Sequence, residues 1–69
     1  MSVYRVTEII GTSTTSWEAA AAEAIRTAAG TIRDLRVAEV VKQDIALDDD
    51  GAITYRTKLQ LSFKYEAGT

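Results

Sequence analysis

The sequence contains no cysteine and no histidine. Without cysteine there are no disulfides and no thiolate nucleophiles, and without histidine there is no imidazole for zinc binding or acid–base catalysis. No apolar run approaches the roughly 18 residues that a membrane-spanning helix needs, so we expect no membrane association. These absences remove most enzyme mechanisms. We expect a cytoplasmic protein that is not an enzyme.

Positive charge is also scarce, because 8 Lys and Arg residues face 10 Asp and Glu residues, a formal net charge of −2 at pH 7. A general nucleic-acid binder needs a basic surface to neutralise phosphates, so no nucleic-acid partner is expected.

The 69 residues form one domain, residues 1–69. A chain of this size buries only roughly 60% of its unfolded surface. Disulfides, metals or self-association stabilise such small domains, and we therefore expect an oligomer.

The stretch over residues 35–65 predicts two strands joined by a turn at residues 48–51. An Asp-Gly pair between apolar runs is a strong hairpin signal, because glycine adopts the positive φ that a tight turn needs. Apolar and polar positions alternate in the second of these strands, and this alternation predicts one buried face made of Ile53, Tyr55, Thr57, Leu59, Leu61, Phe63 and Tyr65. Residues 35–47 alternate less regularly, which favours a strand partly covered on both faces.

A first strand is predicted over residues 3–10, and an alanine-rich helix with apolar residues at helical spacing is predicted from Trp17 to Ala29. The polar segment between them offers two alternative N-caps. Thr15 forms a capping box with Glu18, and Ser13 is the other choice. A turn of this composition also suits an anion at the helix start, but the phosphate-loop lysine is missing and we favour plain capping.

Two residues mark the ends of the helix. Trp17 in its first turn is interpreted as an anchor to the sheet and not as a ligand-stacking platform. Gly30 fits the position where a helix ends, and residues 67–69 are expected to be a frayed end of the chain.

The order strand, helix, strand, strand predicts an α+β protomer, in which a three-stranded antiparallel sheet wraps one helix. Apolar residues on both faces of the first two strands favour burial of the second sheet face against another copy of the chain.

The order of these elements resembles that of the dodecin family. Residues 8–13 (EIIGTS) are similar to the family's entry into its helix, residues 35–40 (LRVAEV) to its second strand and residues 59–64 (LQLSFK) to its third. The resemblance covers nearly the whole chain. It implies a hollow homododecamer that stores or sequesters small ligands and does not catalyse a reaction. Many members bind flavins at two-fold contacts.

The flavin-binding members carry a tryptophan in the second strand that stacks on the flavin, and some use a glutamine after a tyrosine in the third. Here Val37 stands at the first position, and Arg56 follows Tyr55 at the second. Loss of the stacked indole removes roughly 2–3 kcal/mol, which is about a hundredfold in affinity. The resemblance implies an altered flavin-type pocket at Val37, Tyr55 and Arg56 with weak or no binding of FMN or riboflavin. The alternative is a flavin-storage dodecin that uses this altered pocket.

Another subgroup of the family lacks the flavin platform and is associated with calcium, and residues 15–18 and 55–56 are similar to it. Calcium takes about six to eight oxygen ligands, largely carboxylate and carbonyl, so symmetry copies would have to complete the shell. The helix–loop–helix calcium motif is absent. The candidate ligands are Asp44, Asp48, Asp49, Asp50 and Glu8.

Two alternatives stay open at this point. The three adjacent aspartates at residues 48–50 also suit a solvated turn that keeps a hairpin end from aggregating. A different class of function is an adaptor module, in which the free edges of the sheet pair with another protein.

Overall fold

The computed structural model describes residues 2–65, which form three strands and one helix. Strand β1 spans Tyr4–Ser13, helix α1 Trp17–Ala29, strand β2 Leu35–Leu47 and strand β3 Ile53–Lys64. The strands are antiparallel in the order β1-β3-β2, and α1 packs on one face of the sheet. The predicted α+β architecture is confirmed. The predicted frayed end at residues 67–69 lies outside the described part of the chain.

We call the face that carries α1 the inner face, and it holds the core. Alternate residues of β3 are buried there, as their spacing predicts, and they meet a row of small residues on α1 at intervals of four. Because these helical residues are alanines, α1 lies close to the sheet. The fully or nearly fully buried apolar residues are Ala20, Ala24, Ala28, Leu59 and Leu61.

The closest approach of helix and sheet is at Gly11 of β1. A Cβ at this position would overlap the backbone carbonyl oxygen of Ala20 and lie 2.8 Å from the Cβ of Ala24. Backbone and a short methyl group have little freedom to move away. A glycine is therefore needed here for steric reasons and not for its backbone angles.

Thr57, the polar exception in the apolar row of β3, is fully buried opposite Gly11. Its hydroxyl donates a hydrogen bond to the backbone carbonyl oxygen of Trp17 at 3.0 Å. A buried hydroxyl with a partner avoids the cost of an unsatisfied polar group. The bond also ties the first residue of α1 to the middle of the sheet.

Helix α1 begins at Trp17 as predicted, but its N-cap differs from both predicted residues. Ser16 is the N-cap, and its hydroxyl accepts a hydrogen bond from the backbone N–H of Ala19 at 3.0 Å. The Ser13 hydroxyl accepts instead from the N–H of Thr15 at 3.0 Å, in the turn before the helix. The predicted caps at Thr15, with Glu18, and at Ser13 were therefore wrong.

The reason lies in β1, which continues to Ser13 and not to residue 10 as predicted. Its last residues keep their register with β3, since Gly11 pairs with Thr57 and Ser13 with Tyr55. The connector to α1 is consequently shorter than the sequence suggests, and Ser16 is the residue in position to cap.

The end of α1 and the hairpin turn lie where they were predicted. Gly30 is the C-cap, although its φ of −70° is open to any residue. At the hairpin, Gly51 has a φ of 84°, and its N–H donates to the carbonyl oxygen of Asp48 at 2.9 Å. Asp34, before β2, also has a positive φ of 59°, which the sequence did not indicate.

The irregular alternation of β2 has a cause that the sequence did not indicate. The register with β3 shifts between Leu35 and Val37 and again between Val40 and Lys42. Such bulges reverse the sequence parity of the residues that follow. Much of β2 is exposed in a single chain, so the expected covering on both faces is not supplied by the chain itself.

The described part of the molecule is elongated and measures 50 × 20 × 17 Å. The face opposite α1, called here the outer face, is uncovered, and it carries the exposed side chains of Tyr4, Val6, Ile10 and Val37. Over residues 2–65, no helix is both long and apolar enough to cross a membrane.

Candidate functional site

The best-defined polar group on the outer face is an ion pair between β2 and β3. Asp44 lies directly opposite Arg56 in the register. Arg56 Nε donates to Asp44 Oδ1 at 2.8 Å, and Nη2 donates to Oδ2 at 3.3 Å. Two bonds between a planar guanidinium and a carboxylate fix the relative orientation of both groups. Both side chains are partly exposed, so the pair contributes little to stability.

This ion pair shifts the titration of both partners. The hydrogen bonds from Arg56 lower the pKa of Asp44 below its ordinary value of 3.8, and they outweigh the partial burial that raises it. The charges of Arg56 and Lys42 act in the same direction as the hydrogen bonds. The pKa of Arg56 is raised by the same hydrogen bonds and by the charge of Asp44. Both groups are consequently charged throughout the neutral range.

A second ion pair lies beside the first, with Lys58 Nζ 3.3 Å from Glu8 Oε1. Lys42 is directly opposite Lys58 on the neighbouring strand. Asp44, Arg56 and Lys58 border a depression of about 100 Å³ that also contacts Ile10 and Lys42. Glu8 and Asp44 are thus close to cations of their own chain. A metal ion at either carboxylate has to compete with Lys58 or Arg56.

Tyr55, the neighbour of Arg56, lies on the inner face. Its ring packs edge-on against Trp17, with ring centroids 5.1 Å apart and an interplanar angle of 71°. The Trp17 indole N–H donates to the backbone carbonyl oxygen of Asp44 at 3.1 Å. Trp17 therefore anchors α1 to the sheet, as predicted. Its bond to Asp44 was missed, because a contact across 27 residues leaves no periodic pattern in the sequence.

Val37, the third residue of the expected flavin-type pocket, is on the outer face and 58% exposed. It pairs with Ser62, which is six positions along β3 from Arg56. Six strand residues span roughly 20 Å. Within one chain, Val37 and Arg56 are thus far apart on one face, and Tyr55 is on the other. A pocket containing all three needs a second chain.

The three aspartates of the hairpin, Asp48, Asp49 and Asp50, are exposed. Asp50 Oδ1 accepts a hydrogen bond from the N–H of Ala52 at 3.1 Å, and the Asp48 N–H donates to the Ala52 carbonyl oxygen at 2.9 Å. None of the ion pairs within residues 2–65 involves these carboxylates. In the same residues, no three metal-binding side chains converge on one point. A single chain therefore supplies part of a calcium shell at most.

Comparison with known proteins places the chain in a family. The family model described as Dodecin matches residues 3–66. The chain belongs to the dodecin family. A protein named "Calcium dodecin" from Mycobacterium tuberculosis is 61% identical to this dodecin over 64 residues, which cover 93% of this chain and 90% of the relative.

Solved structures agree with this assignment. A crystal structure described as the calcium-chelating immunodominant antigen calcium dodecin, from M. tuberculosis, is 56% identical and has a TM-score of 0.88 over 99% of this chain and 97% of that chain. A dodecin from Streptomyces coelicolor is 31% identical and has a TM-score of 0.87 over 97% of this chain and 96% of that one. The predicted family and the predicted likeness to its calcium-associated members are confirmed.

Proposed function

We propose that this dodecin binds calcium and sequesters or stores it within a homododecamer. The observation that carries the proposal is the 61% identity to a protein named calcium dodecin, over nearly the whole length of both chains. The chemistry of the residues supports binding and not catalysis, since the chain has no cysteine or histidine to act as nucleophile or base.

We assign the carboxylates of Asp48, Asp49 and Asp50 as the first contacts for the metal, because they are exposed, adjacent and outside the ion pairs described above. Asp44 and Glu8 are the second group of candidates, and a metal there must displace a cation. Calcium needs about six to eight oxygens. Hairpins of neighbouring copies, backbone carbonyl groups and water supply the rest.

Calorimetric titration of calcium into chelator-treated protein at low salt tests this assignment. The variant Asp48→Asn/Asp49→Asn/Asp50→Asn should lose calcium binding at least about tenfold, since each change removes a charged ligand but keeps the size of the side chain. Glu39→Gln, which removes an exposed carboxylate from the outer face, is the matched control and should bind as wild type. The absence of calcium binding below millimolar concentration in the wild type would refute the function.

The same titration separates the two groups of ligands. If the triple asparagine variant binds calcium normally and Asp44→Asn does not, the metal lies at the outer-face ion pairs and not at the hairpin. That result would support calcium binding by this protein and move the binding site from the hairpin to the outer face.

The homododecamer is supported by how little of the chain is buried. The core has three alanines and two leucines, whereas large apolar side chains are exposed on both faces of the sheet. Association with further copies buries such surface and stabilises a 69-residue domain. Native mass spectrometry of protein purified without chelator should give twelve chains with added calcium. A monomer or dimer would contradict the assembly.

Flavin binding is proposed to be weak or absent, because Val37 offers no stacking ring and Arg56 is held by Asp44. The variant Val37→Trp/Arg56→Gln should acquire quenching of FMN or riboflavin fluorescence if two chains meet at an otherwise intact pocket. Val37→Trp alone, with the ion pair retained, is the control and should bind more weakly. If the double variant gains no quenching, this part of the sheet does not correspond to the family's flavin site.

A further inference from the structure

The end of the β2–β3 hairpin carries the one aspartate of the chain that is followed by a glycine, Asp50 before Gly51. The other aspartates precede a leucine, an isoleucine or another aspartate, and they are Asp34, Asp44, Asp48 and Asp49. The side-chain carboxyl carbon of an aspartate is close enough to the next backbone nitrogen to form a cyclic imide with it. A side chain on the next residue crowds that nitrogen, and glycine has none.

The peptide unit of Gly51 is free of packed neighbours. Residues 50–52 are exposed, and apart from the adjoining residues no heavy atom lies within 4 Å of the place where a Cβ of Gly51 would be. Gly11 is the opposite case, because helix α1 lies directly against it. Rearrangement of the backbone at Gly51 therefore meets no steric obstacle from the rest of the chain.

The carboxyl group of Asp50 is held beside this peptide unit. Its Oδ1 accepts a hydrogen bond from the Ala52 N–H at 3.1 Å. The same N–H stabilises the negative charge that develops on this oxygen when the carboxyl carbon is attacked. One contact opposes the attack, since the Gly51 N–H donates to the Asp48 carbonyl oxygen at 2.9 Å. The reaction therefore needs local opening of the turn, which costs little free energy at an exposed hairpin end.

We propose that Asp50 is a site of spontaneous backbone isomerisation, in which it becomes isoaspartate through a cyclic imide with Gly51. The Gly51 nitrogen forms a bond to the side-chain carboxyl carbon of Asp50. One carboxyl oxygen leaves as water, with the amide proton of Gly51 and one proton from solvent. Water then adds to the backbone carbonyl carbon of Asp50, the bond from this carbon to the Gly51 nitrogen breaks, and the nitrogen regains its proton. The new carboxyl group ionises, and no oxidant, cofactor or enzyme takes part.

The product has the same mass but a longer backbone at the turn. The chain now runs through the former side-chain carbon of Asp50, which adds one methylene group, and the free carboxylate moves to the Cα of this residue. The hydrogen bonds that join Asp48 to Gly51 and Ala52 then no longer match the length of the turn. The carboxylate also moves away from the calcium contacts assigned above. This last consequence rests on the proposed function, whereas the isomerisation itself does not.

Peptide mapping of the full-length assembled protein, after prolonged incubation at neutral pH, tests the proposal. Trypsin releases residues 43–56 as one peptide, because Lys42 and Arg56 are consecutive cleavage points. Chromatography separates the isoaspartate form of this peptide, and fragmentation in a mass spectrometer locates the altered residue. We expect isoaspartate at residue 50, and at least about tenfold less at residues 44, 48 and 49 of the same peptide.

Matched variants test the chemistry. Asp50→Glu keeps the charge but needs a larger ring, and it should slow isomerisation at least about tenfold. Asp49→Glu makes the same change one residue earlier and should leave the rate at residue 50 unchanged. Gly51→Asn is compatible with the φ of 84° but places a side chain beside the nitrogen, and it should also slow the reaction.

Two results would overturn the proposal. The first is the absence of isoaspartate at residue 50 of the folded protein. If the free peptide of residues 43–56 isomerises in that case, the hydrogen bond from Gly51 to Asp48 protects the turn. The second is an equal rate in Asp50→Glu and the wild type.

Calcium titration of fresh and isomerised protein keeps this proposal separate from the proposed function. Fresh protein that binds no calcium would refute the calcium function and leave the isomerisation in place. Weaker calcium binding after isomerisation would support Asp50 as a calcium contact. Equal binding by both forms would remove Asp50 from the calcium contacts.

Discussion

Gly11 is the single residue on which the contact between helix and sheet depends most. Gly11→Ala places a methyl group against the Ala20 carbonyl group and should destabilise the protein by about 2–3 kcal/mol. Denaturant unfolding measures the loss. Gly30→Ala is the matched control, because its φ of −70° and its more open surroundings accept a side chain, and it should be neutral or stabilising. Equal losses in the two variants would show that the close approach is not what requires glycine at residue 11.

The ion pair of Asp44 with Arg56 gives a pH dependence with a defined sign. Because the pKa of Asp44 is lowered in the folded state, the stability from this pair is complete above the ordinary value of 3.8 and is lost as pH falls through the lower, folded-state pKa. Carbon-13 NMR of the Asp44 carboxyl group should show titration below the ordinary range. In Arg56→Gln the pKa should rise, whereas in Arg26→Gln it should not change.

At the scale of the elements, the N-cap of α1 gives the sharpest prediction. Ser16→Ala removes the hydroxyl that accepts the N–H of Ala19 and should cost about 1 kcal/mol of stability. Thr15→Ala, one residue earlier, removes no cap and should change stability by less than about 0.5 kcal/mol. Thermal unfolding of both variants checks this. A larger effect of Thr15→Ala than of Ser16→Ala would mean that the predicted capping box of Thr15 and Glu18 caps the helix instead.

The elements that could be predicted are those with a local and periodic signal. The alternation of β3 and the Asp-Gly turn determined the hairpin, and the spacing of alanines determined the buried side of α1. The end of β1 and the bulges of β2 were not predictable, because both depend on pairing with β3, which is distant in sequence. A capping hydroxyl is recognised from sequence only when the end of the preceding strand is known, and here all four of residues 13–16 carry a hydroxyl group.

For the candidate sites the limit is of the same kind. Asp44 was selected for its carboxylate and Arg56 through the family resemblance, but their pairing follows from the strand register and not from their spacing along the chain. Val37 and Tyr55 came from family resemblance, and the structure places them apart within one chain.

At the scale of the whole molecule, the outer face of the sheet carries the assembly prediction. Val6 and Val37 flank Ser62 in one row across the three strands, and both are exposed in a single chain. Val6→Asp/Val37→Asp should therefore break up the oligomer with little effect on the fold of the chain, because each buried charge would lack a partner. Light scattering after size-exclusion chromatography measures the mass. Thr14→Asp/Thr15→Asp, in an exposed loop, adds the same charge as a control. An intact oligomer in the valine variant would mean that another surface joins the copies.

Trp17 is the only tryptophan in the chain, and its indole N–H is bonded to the strand residue whose carboxylate holds Arg56. Excited at a wavelength that tyrosine does not absorb, the protein thus emits from one fluorophore at one known place. Its wavelength reports the local environment where the helix start meets β2, without any added label. A ligand that binds at the outer-face ion pairs acts on Asp44, whose backbone carbonyl group accepts the indole N–H, and should shift this wavelength.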